Sequence, residues 1–384
     1  MRVSALSRRL GLAVTLLGGV LLAAAPASGD EWTFRTGGRI DYYSADRKSG
    51  QGDGKQILAP FGLWHDTPSW GASIRGTYGT SQHQLDGQPN AELTGFADTT
   101  LGGYYRFNVG GTEIRLGLDL DLPTGVSRLK TNQLAAVQDQ DLVAIQRFGE
   151  GFDINPSVTA YRSFGSWGLG AGVGHLKTGK YDPTQDVAND DFDPGDQLTV
   201  AALGDVIVGD LVRLVGRFAY TYFTVDEQGG RETFRQGDEL DFTLGAEYRP
   251  EPWWVSASAR EIYRFKAERL GQGGLLNDEL QNNYGNELRG NVTVGYILDD
   301  MWALGGAADV RYVDANDYAK GAPLHDGGRF RIAVGPWVTW TLDRWLQVDA
   351  SVRYFYLDAE ESPLYPKGAT FNGVTADVRL TYRF

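Results

Sequence analysis

The residue pattern leads to an all-β chain, an antiparallel transmembrane β-barrel of about sixteen strands with short turns at one end and long loops at the other. Three observations carry this. Residues 371–384 place Val374, Ala376, Val378, Leu380, Tyr382 and Phe384 on one parity and Thr375, Asp377, Arg379, Thr381 and Arg383 on the other. That is the period-two pattern of a strand with one apolar and one polar face. Outside a leader at 1–29 there is no run of ~18 apolar residues, so no segment is suited to cross a membrane as a helix. Alternating stretches recur down the chain, and the connections between them are by turns short and long.

Arg8 and Arg9 precede an apolar run, 10–25, and the small-residue site Ala25-Pro26-Ala27, the pattern of a cleaved secretory signal. The expected division is a signal peptide at 1–29 and one barrel domain at 30–384. The chain has no Cys, which excludes a disulfide framework, a thiolate metal site and a cysteine nucleophile. Its net charge is −13, and without Arg2, Arg8 and Arg9 it has 33 basic against 49 acidic residues. Such an acidic chain argues against a nucleic-acid partner.

In chain order, the first strand spans 32–43, with Trp32, Phe34, Ile40 and Tyr42 opposite Arg35, Arg39 and Asp41. The second, 56–64, alternates poorly. The third, 70–78, sets Trp70, Ala72, Ile74 and Tyr78 against Ser73, Arg75 and Thr77; the fourth covers 93–107. The fifth, 113–122, is the cleanest: Ile114, Leu116, Leu118, Leu120 and Leu122 alternate with Arg115, Gly117, Asp119 and Asp121. A water-filled lumen accommodates that charged face. Six more follow at 154–164, 167–176, 197–208, 211–225, 240–248 and 253–265, and the last five at 288–298, 301–312, 330–342, 345–356 and 371–384.

Short connections such as Gly165-Ser166, Gly209-Asp210 and Asp299-Asp300 fit periplasmic turns. The long polar ones, 46–55, 80–91, 125–151, 177–196, 226–235, 266–286, 314–328 and 358–370, fit extracellular loops. Aromatics sort by end. Trp70, Trp167, Trp253, Trp302, Trp340 and Phe384 fall at the short-turn side, and Tyr42, Tyr78, Tyr222, Tyr263, Tyr312, Tyr354 and Tyr356 toward the loops, as two interfacial girdles require.

The aromatic-ended final strand, with Tyr382 and Phe384, resembles the C-terminal recognition strand of Gram-negative outer-membrane barrels. The resemblance implies an outer-membrane location and assembly by the barrel-assembly machinery. The loop 125–151 follows the fifth strand, a placement that resembles the inward-folded constriction loop of general porins. Its amphipathic run 132–148 has Leu134, Val137, Leu142 and Ile145 at near-helical spacing. Gln138, Asp139, Asp141, Arg147 and Glu150 are its candidate constriction residues. The segments 116–125 (LGLDLDLPTG), 149–161 (GEGFDINPSVTAY) and 167–181 resemble the outer-membrane family linked to meta-pathway phenol degradation, which implies uptake of hydrophobic or aromatic small molecules.

The lumen-facing parity carries Arg115, Asp119, Asp121, Arg213, Arg217, Arg289, Arg311, Arg331, Arg353 and Arg379 as pore-lining candidates. Such charges set ion selectivity in a pore, and they also stiffen a wall as cross-strand pairs. Gly168, Gly170, Gly172 and Gly174 form a wall without side chains, which either admits a loop or flat solute or relieves curvature. The expected function is passive uptake of small solutes, hydrophobic or aromatic, with a polar, anion-preferring diffusion channel as the alternative. A hydrolase or an adhesive barrel comes after these.

Chemistry beyond passage finds little footing. His65, His83, His175 and His325 are scattered, and His325-Asp326 is read as a solvated pair. Gly174 to Lys180 (GHLKTGK) lacks the Ser or Thr of a P-loop, with Tyr181 in its place. Asp182, Asp186, Asp190, Asp191, Asp193 and Asp196 lack calcium-loop spacing and read as a hydrated loop bridged to lipopolysaccharide. No catalytic residue, metal or cofactor is expected. The partners are membrane lipid, lipopolysaccharide, the assembly machinery and a small-molecule solute, and the chain is compatible with an oligomer.

Overall fold

The computed structural model describes residues 31–46, 51–84, 90–188, 190–271 and 273–384; the leader at 1–29 lies outside them. The strands are β1 (Glu31–Ala45), β2 (Asp53–Asp66), β3 (Trp70–Gln84), β4 (Ala91–Phe96 continuing as Thr99–Val109) and β5 (Thr112–Leu122). Then come β6 (Asp153–Ser163), β7 (Trp167–Leu176), β8 (Gln197–Val208), β9 (Val212–Phe223), β10 (Glu239–Tyr248) and β11 (Trp253–Arg264). The set ends with β12 (Glu287–Ile297), β13 (Trp302–Val313), β14 (Arg329–Thr341), β15 (Leu346–Ala359) and β16 (Ala369–Arg383).

Each strand pairs antiparallel with its sequence neighbour, and both segments of β4 pair with β3. The result is a closed barrel of 16 strands. Closure runs from Thr33 opposite Arg383 to Ala45 opposite Phe371, and Trp32 and Phe384 exchange backbone hydrogen bonds at 2.9 Å in both directions. Closure leaves the wall without an open edge.

The outer surface is apolar along its middle, with Ile40, Ile74, Leu118, Val173 and Val200 all exposed, and Leu244 is 70% exposed. Such a band is stable against lipid and not against water, so the exterior is that of an outer-membrane barrel. Rings ride its margins. Trp302 and Trp340 stack at 5.4 Å, and Trp32 lies 4.4 Å from His65, which meets Trp70 at 4.7 Å.

The poor alternation of β2 has a physical cause. Its inward residues include Gln56 and Leu58, and Leu58 is buried with Leu93, Leu129, Ala136 and Phe148 under the loop 125–151. A lumen face covered by a loop has no need of charge. Strands also run past the expected limits at the loop end, β3 to Gln84 and β15 to Ala359. Beyond the lipid band the outer face is no longer apolar, so the alternation that marks a lipid-facing strand fades while the ladder continues. Above the wall, Phe192–Asp193, Val225–Gln228, Arg231–Arg235, Glu268–Leu270 and Leu276–Asp278 form a separate five-stranded sheet from three of the long loops.

Candidate functional site: the constricted lumen

The loop 125–151 leaves the wall through a narrow neck. Asp98, in the break between the two segments of β4, accepts the Gly125 N–H at 2.8 Å on Oδ1 and the Glu150 N–H at 2.7 Å on Oδ2. One carboxylate thus ties both ends of the loop. A Cβ on Gly125 would fall 1.8 Å from the Phe148 carbonyl oxygen, and one on Gly149 would fall 2.8 Å from the Gly125 carbonyl carbon. Only residues without a side chain allow that approach. Thr124 closes the neck, its hydroxyl accepting the Thr99 N–H at 2.9 Å. The end of the segment 116–125 and the start of the segment 149–161 therefore meet here, at the root of the loop.

Past the neck the loop turns inward. The near-helical spacing of 132–148 yields a 3-10 helix only at Thr131–Ala136. Its apolar residues do not share one helix face because two separate pockets receive them. Ala136 and Phe148 join Leu58, Leu93 and Leu129, whereas Leu142 and Val143 join Tyr43, Phe355, Leu357, Tyr365 and Phe371. Two pockets on different stretches of wall demand an extended path.

Polar contacts fix that path. Gln56 on β2 donates to the Ile145 carbonyl at 2.7 Å and accepts its N–H at 2.9 Å. Gln138 donates to Ser81 Oγ at 2.6 Å, and the Ala144 N–H donates to Asp41 at 3.2 Å. The tip is held by charge: Asp139 meets Arg329 at 3.0 Å, and Asp141 meets Arg311 and, at 3.8 Å, Arg329. The Tyr365 hydroxyl donates to Asp139 at 2.9 Å, and burial holds that phenol protonated well past its usual range. Of the loop candidates, Asp139 and Asp141 reach the far wall at β13 and β14, whereas Gln138 is held by β3 on the near side and Glu150 lies in the neck.

Beneath the loop lies a cavity of about 1010 Å³ lined by Arg35, Arg39, Arg75, Arg289, Arg311, Arg331, Arg353 and Arg379, with Asp98, Asp141, Asp309 and Asp377 as its acids. Carboxylates along this wall are shared. Asp241 serves Arg217 at 3.8 Å and Arg260 at 2.7 Å, and Asp309 serves Arg331 at 2.7 Å and Arg353 at 3.3 Å. Buried Glu287 serves Arg264 at 3.0 Å, Arg311 at 2.8 Å and Arg289. Arg35 and Arg379 make no ion pair among the described residues. The lumen therefore carries a cationic surplus inside an acidic chain.

The other sequence candidates divide by what they touch. Arg115 stacks on Tyr104 at 3.9 Å, Asp119 lies 4.0 Å from Arg75, and Asp121 accepts the Thr100 hydroxyl at 2.6 Å. Arg213 pairs with Asp205 at 3.3 Å. The glycine row is not bare. A Cβ on Gly168 would fall 2.0 Å from the Tyr161 hydroxyl, and one on Gly170 would fall 3.3 Å from its ring, so Tyr161 of β6 lies over the row. Thr159 fills the space over Gly172. Wall curvature alone does not account for these glycines; they seat a neighbouring ring.

The aspartates of 182–196 act as loop anchors. Asp182 pairs with Arg128, Asp186 accepts the Thr131 N–H at 2.9 Å, Asp191 meets Lys180 at 2.7 Å and Asp196 lies 3.4 Å from His175. His325 Nδ1 faces the Tyr318 carbonyl at 2.8 Å. Sequence reading missed Asp98, Arg329 and Tyr365, and it missed Trp64, Trp254 and Trp337 as lumen aromatics. For the tryptophans a signal existed. Trp253 and Trp254 are adjacent, so one of them must face inward.

Comparison with family models and with curated protein sequences finds no match. Solved structures with a similar course include an anion-selective porin from Comamonas acidovorans, 13% identical over 93% of this chain and 99% of that one, with a TM-score of 0.44. The outer-membrane channel DcaP of Acinetobacter baumannii is 12% identical over 92% and 96%, with a TM-score of 0.46. A bacterial polysaccharide outer-membrane secretin is 9% identical over 92% and 98%, with a TM-score of 0.45. What those proteins pass does not transfer to this chain at such distances.

Proposed function

We propose that this chain is a passive outer-membrane channel for small polar solutes with a preference for anions. The observation that carries the reading is a cavity lined by eight arginines against four aspartates, with Asp309 shared between Arg331 and Arg353 and, on the wall, Asp241 shared between Arg217 and Arg260, beside Arg35 and Arg379, which make no ion pair among the described residues. Each shared acid cancels one charge and leaves the rest to attract a solute anion. A lumen lined this way offers little to a neutral hydrocarbon, so the polar alternative replaces hydrophobic uptake as the preferred function. The same reading takes 1–29 as the export signal and Tyr382 and Phe384 as the assembly signal.

The test is single-channel recording of the refolded chain in a planar bilayer. Ohmic steps with a reversal potential on the chloride side are the expected result. A cation-side reversal potential, or silence from a folded barrel, would sink the reading.

A further inference from the structure

Between β11 and β14 the inward side chains fall into registered rows. Nearest the loop, Arg260 lies opposite Arg289, Arg289 opposite Arg311 and Arg311 opposite Arg331, so four adjacent strands carry arginine at one level. Six residues along each strand, roughly 20 Å toward the short turns, the row reads Trp254, Gly295, Gly305, Trp337. The rows between are small, with Ser256, Thr293 and Ala307 in one and Ser258, Asn291 and Asp309 in another. The strip is charged at one end and indole at the other, with small side chains between and one carboxylate, Asp309, held by Arg331 at 2.7 Å and Arg353 at 3.3 Å.

The two indoles lie flat on the wall. A Cβ on Gly295 would fall 2.2 Å from Trp254 Nε1, and one on Gly305 would fall 2.6 Å from the Trp337 ring. The rings approach with centroids 5.5 Å apart and planes 36° apart, each with one face on glycine backbone. Both residues are half-buried, and Trp337 Nε1 is enclosed with no hydrogen-bond partner. An enclosed indole usually finds a partner for its N–H. Other lumen aromatics already carry a guanidinium, Arg35 over Trp64 at 5.0 Å, Arg115 over Tyr104 at 3.9 Å and Arg331 over Phe355 at 4.9 Å. No such cation covers Trp254 or Trp337 among the described residues. On the next strand Trp337 lies opposite Ser351, with lumen-facing Arg353 two residues on.

We propose that Trp254, Trp337 and Arg353 form a binding station for aromatic carboxylates, the ring stacking on the indoles and the carboxylate meeting Arg353, with the arginine row feeding it from the loop side. The station rests on the anion-channel reading and adds to it a preference for an aromatic body. Each arginine of the row meets an acid, Arg260 with Asp241, Arg289 and Arg311 with Glu287, and Arg331 with Asp309, which offsets the repulsion of like charges set side by side.

The test uses the full mature chain in planar bilayers carrying chloride current, with benzoate, cyclohexanecarboxylate and acetate as blockers. Benzoate is expected to half-block at about a three- to tenfold lower concentration than either other acid, the worth of an aromatic contact. The double variant W254L/W337L should bring benzoate into line with cyclohexanecarboxylate while the chloride preference stays. R353Q should weaken all three acids together. Equal blocking by benzoate and cyclohexanecarboxylate in the unmodified channel overturns the station, even if the double variant fails to fold, and so does a double variant that keeps the difference. Loss of chloride preference in the unmodified channel overturns the underlying channel reading instead.

Discussion

Asp139 on the inward loop and Arg329 at the outer end of β14 stand 190 residues apart in sequence and meet at 3.0 Å, with the Tyr365 hydroxyl on the same carboxylate at 2.9 Å. Both partners of the ion pair are largely buried, with side-chain exposures of 5% for Asp139 and 18% for Arg329. Removing Asp139 leaves Arg329 only Asp141 at 3.8 Å and Asp326 at 3.4 Å and takes the acceptor from the Tyr365 hydroxyl. Asp139→Ala should therefore loosen the tip, raising open-channel conductance and current noise, and Tyr365→Phe should do the same more weakly. Single-channel traces indistinguishable from the unmodified protein would show that the tip is held by its apolar contacts.

Asp98 ties both ends of the loop, so Asp98→Ala removes two charge-assisted hydrogen bonds at once. A loss of roughly 3–5 kcal/mol is expected from two such bonds, read as an earlier midpoint in urea for the folded, fast-migrating form on gels. The barrel should still close, because Asp98 sits in a break of β4 and not in its ladder. A midpoint unchanged from the parent would place the strength of the neck in its glycine contacts.

Selectivity should follow unpaired charge and not inward charge in general. Arg35→Gln with Arg379→Gln should lower the chloride-to-potassium ratio about fivefold, the equivalent of ~1 kcal/mol for a charge acting across water. Arg213→Gln, whose charge Asp205 offsets at 3.3 Å without serving a second arginine, should move it less. The ratio should also fall as salt rises, since the screening length shortens. Reversal potentials in graded salt measure both. Equal shifts from Arg213 and from the Arg35 and Arg379 pair would refute the pairing argument.

The glycine row makes its own prediction. Gly168→Val would drive a methyl into Tyr161, whose hydroxyl holds Asp205 at 2.8 Å. Overpacking of this kind costs about 1–3 kcal/mol, expected as a lower unfolding midpoint with ion selectivity intact. Tyr161→Phe in the same background should recover part of that loss, because the clash is with the hydroxyl end. No recovery would mean that the strain is taken up elsewhere.

Much of the site was half legible. The inward parity of Arg289, Arg311, Arg331 and Arg353 is plain in alternation, yet their partners are not, since Asp309 and Glu287 sit on the same strands at the same spacing as any other inward acid. The position of the loop after β5 was visible, but its extended course was hidden because Leu142 and Phe148 satisfy different pockets. The adjacency of Trp253 and Trp254 signals one inward ring, but only the register places Trp254 and Trp337 in one row with Gly295 and Gly305.

Local pattern was enough for the barrel itself. Which face of each strand meets lipid depends on neighbours two residues away, and the turns depend on a handful of Gly, Asp and Pro, so strand count and the sense of each wall are written along the chain. The constriction is different in kind. Asp139 finds Arg329, Asp141 finds Arg311 and Trp254 finds Trp337 only after β1 has paired with β16 and the shear of the closed sheet has set the heights of strands far apart in sequence. A charge carries no record of its partner until closure brings the two to the same level.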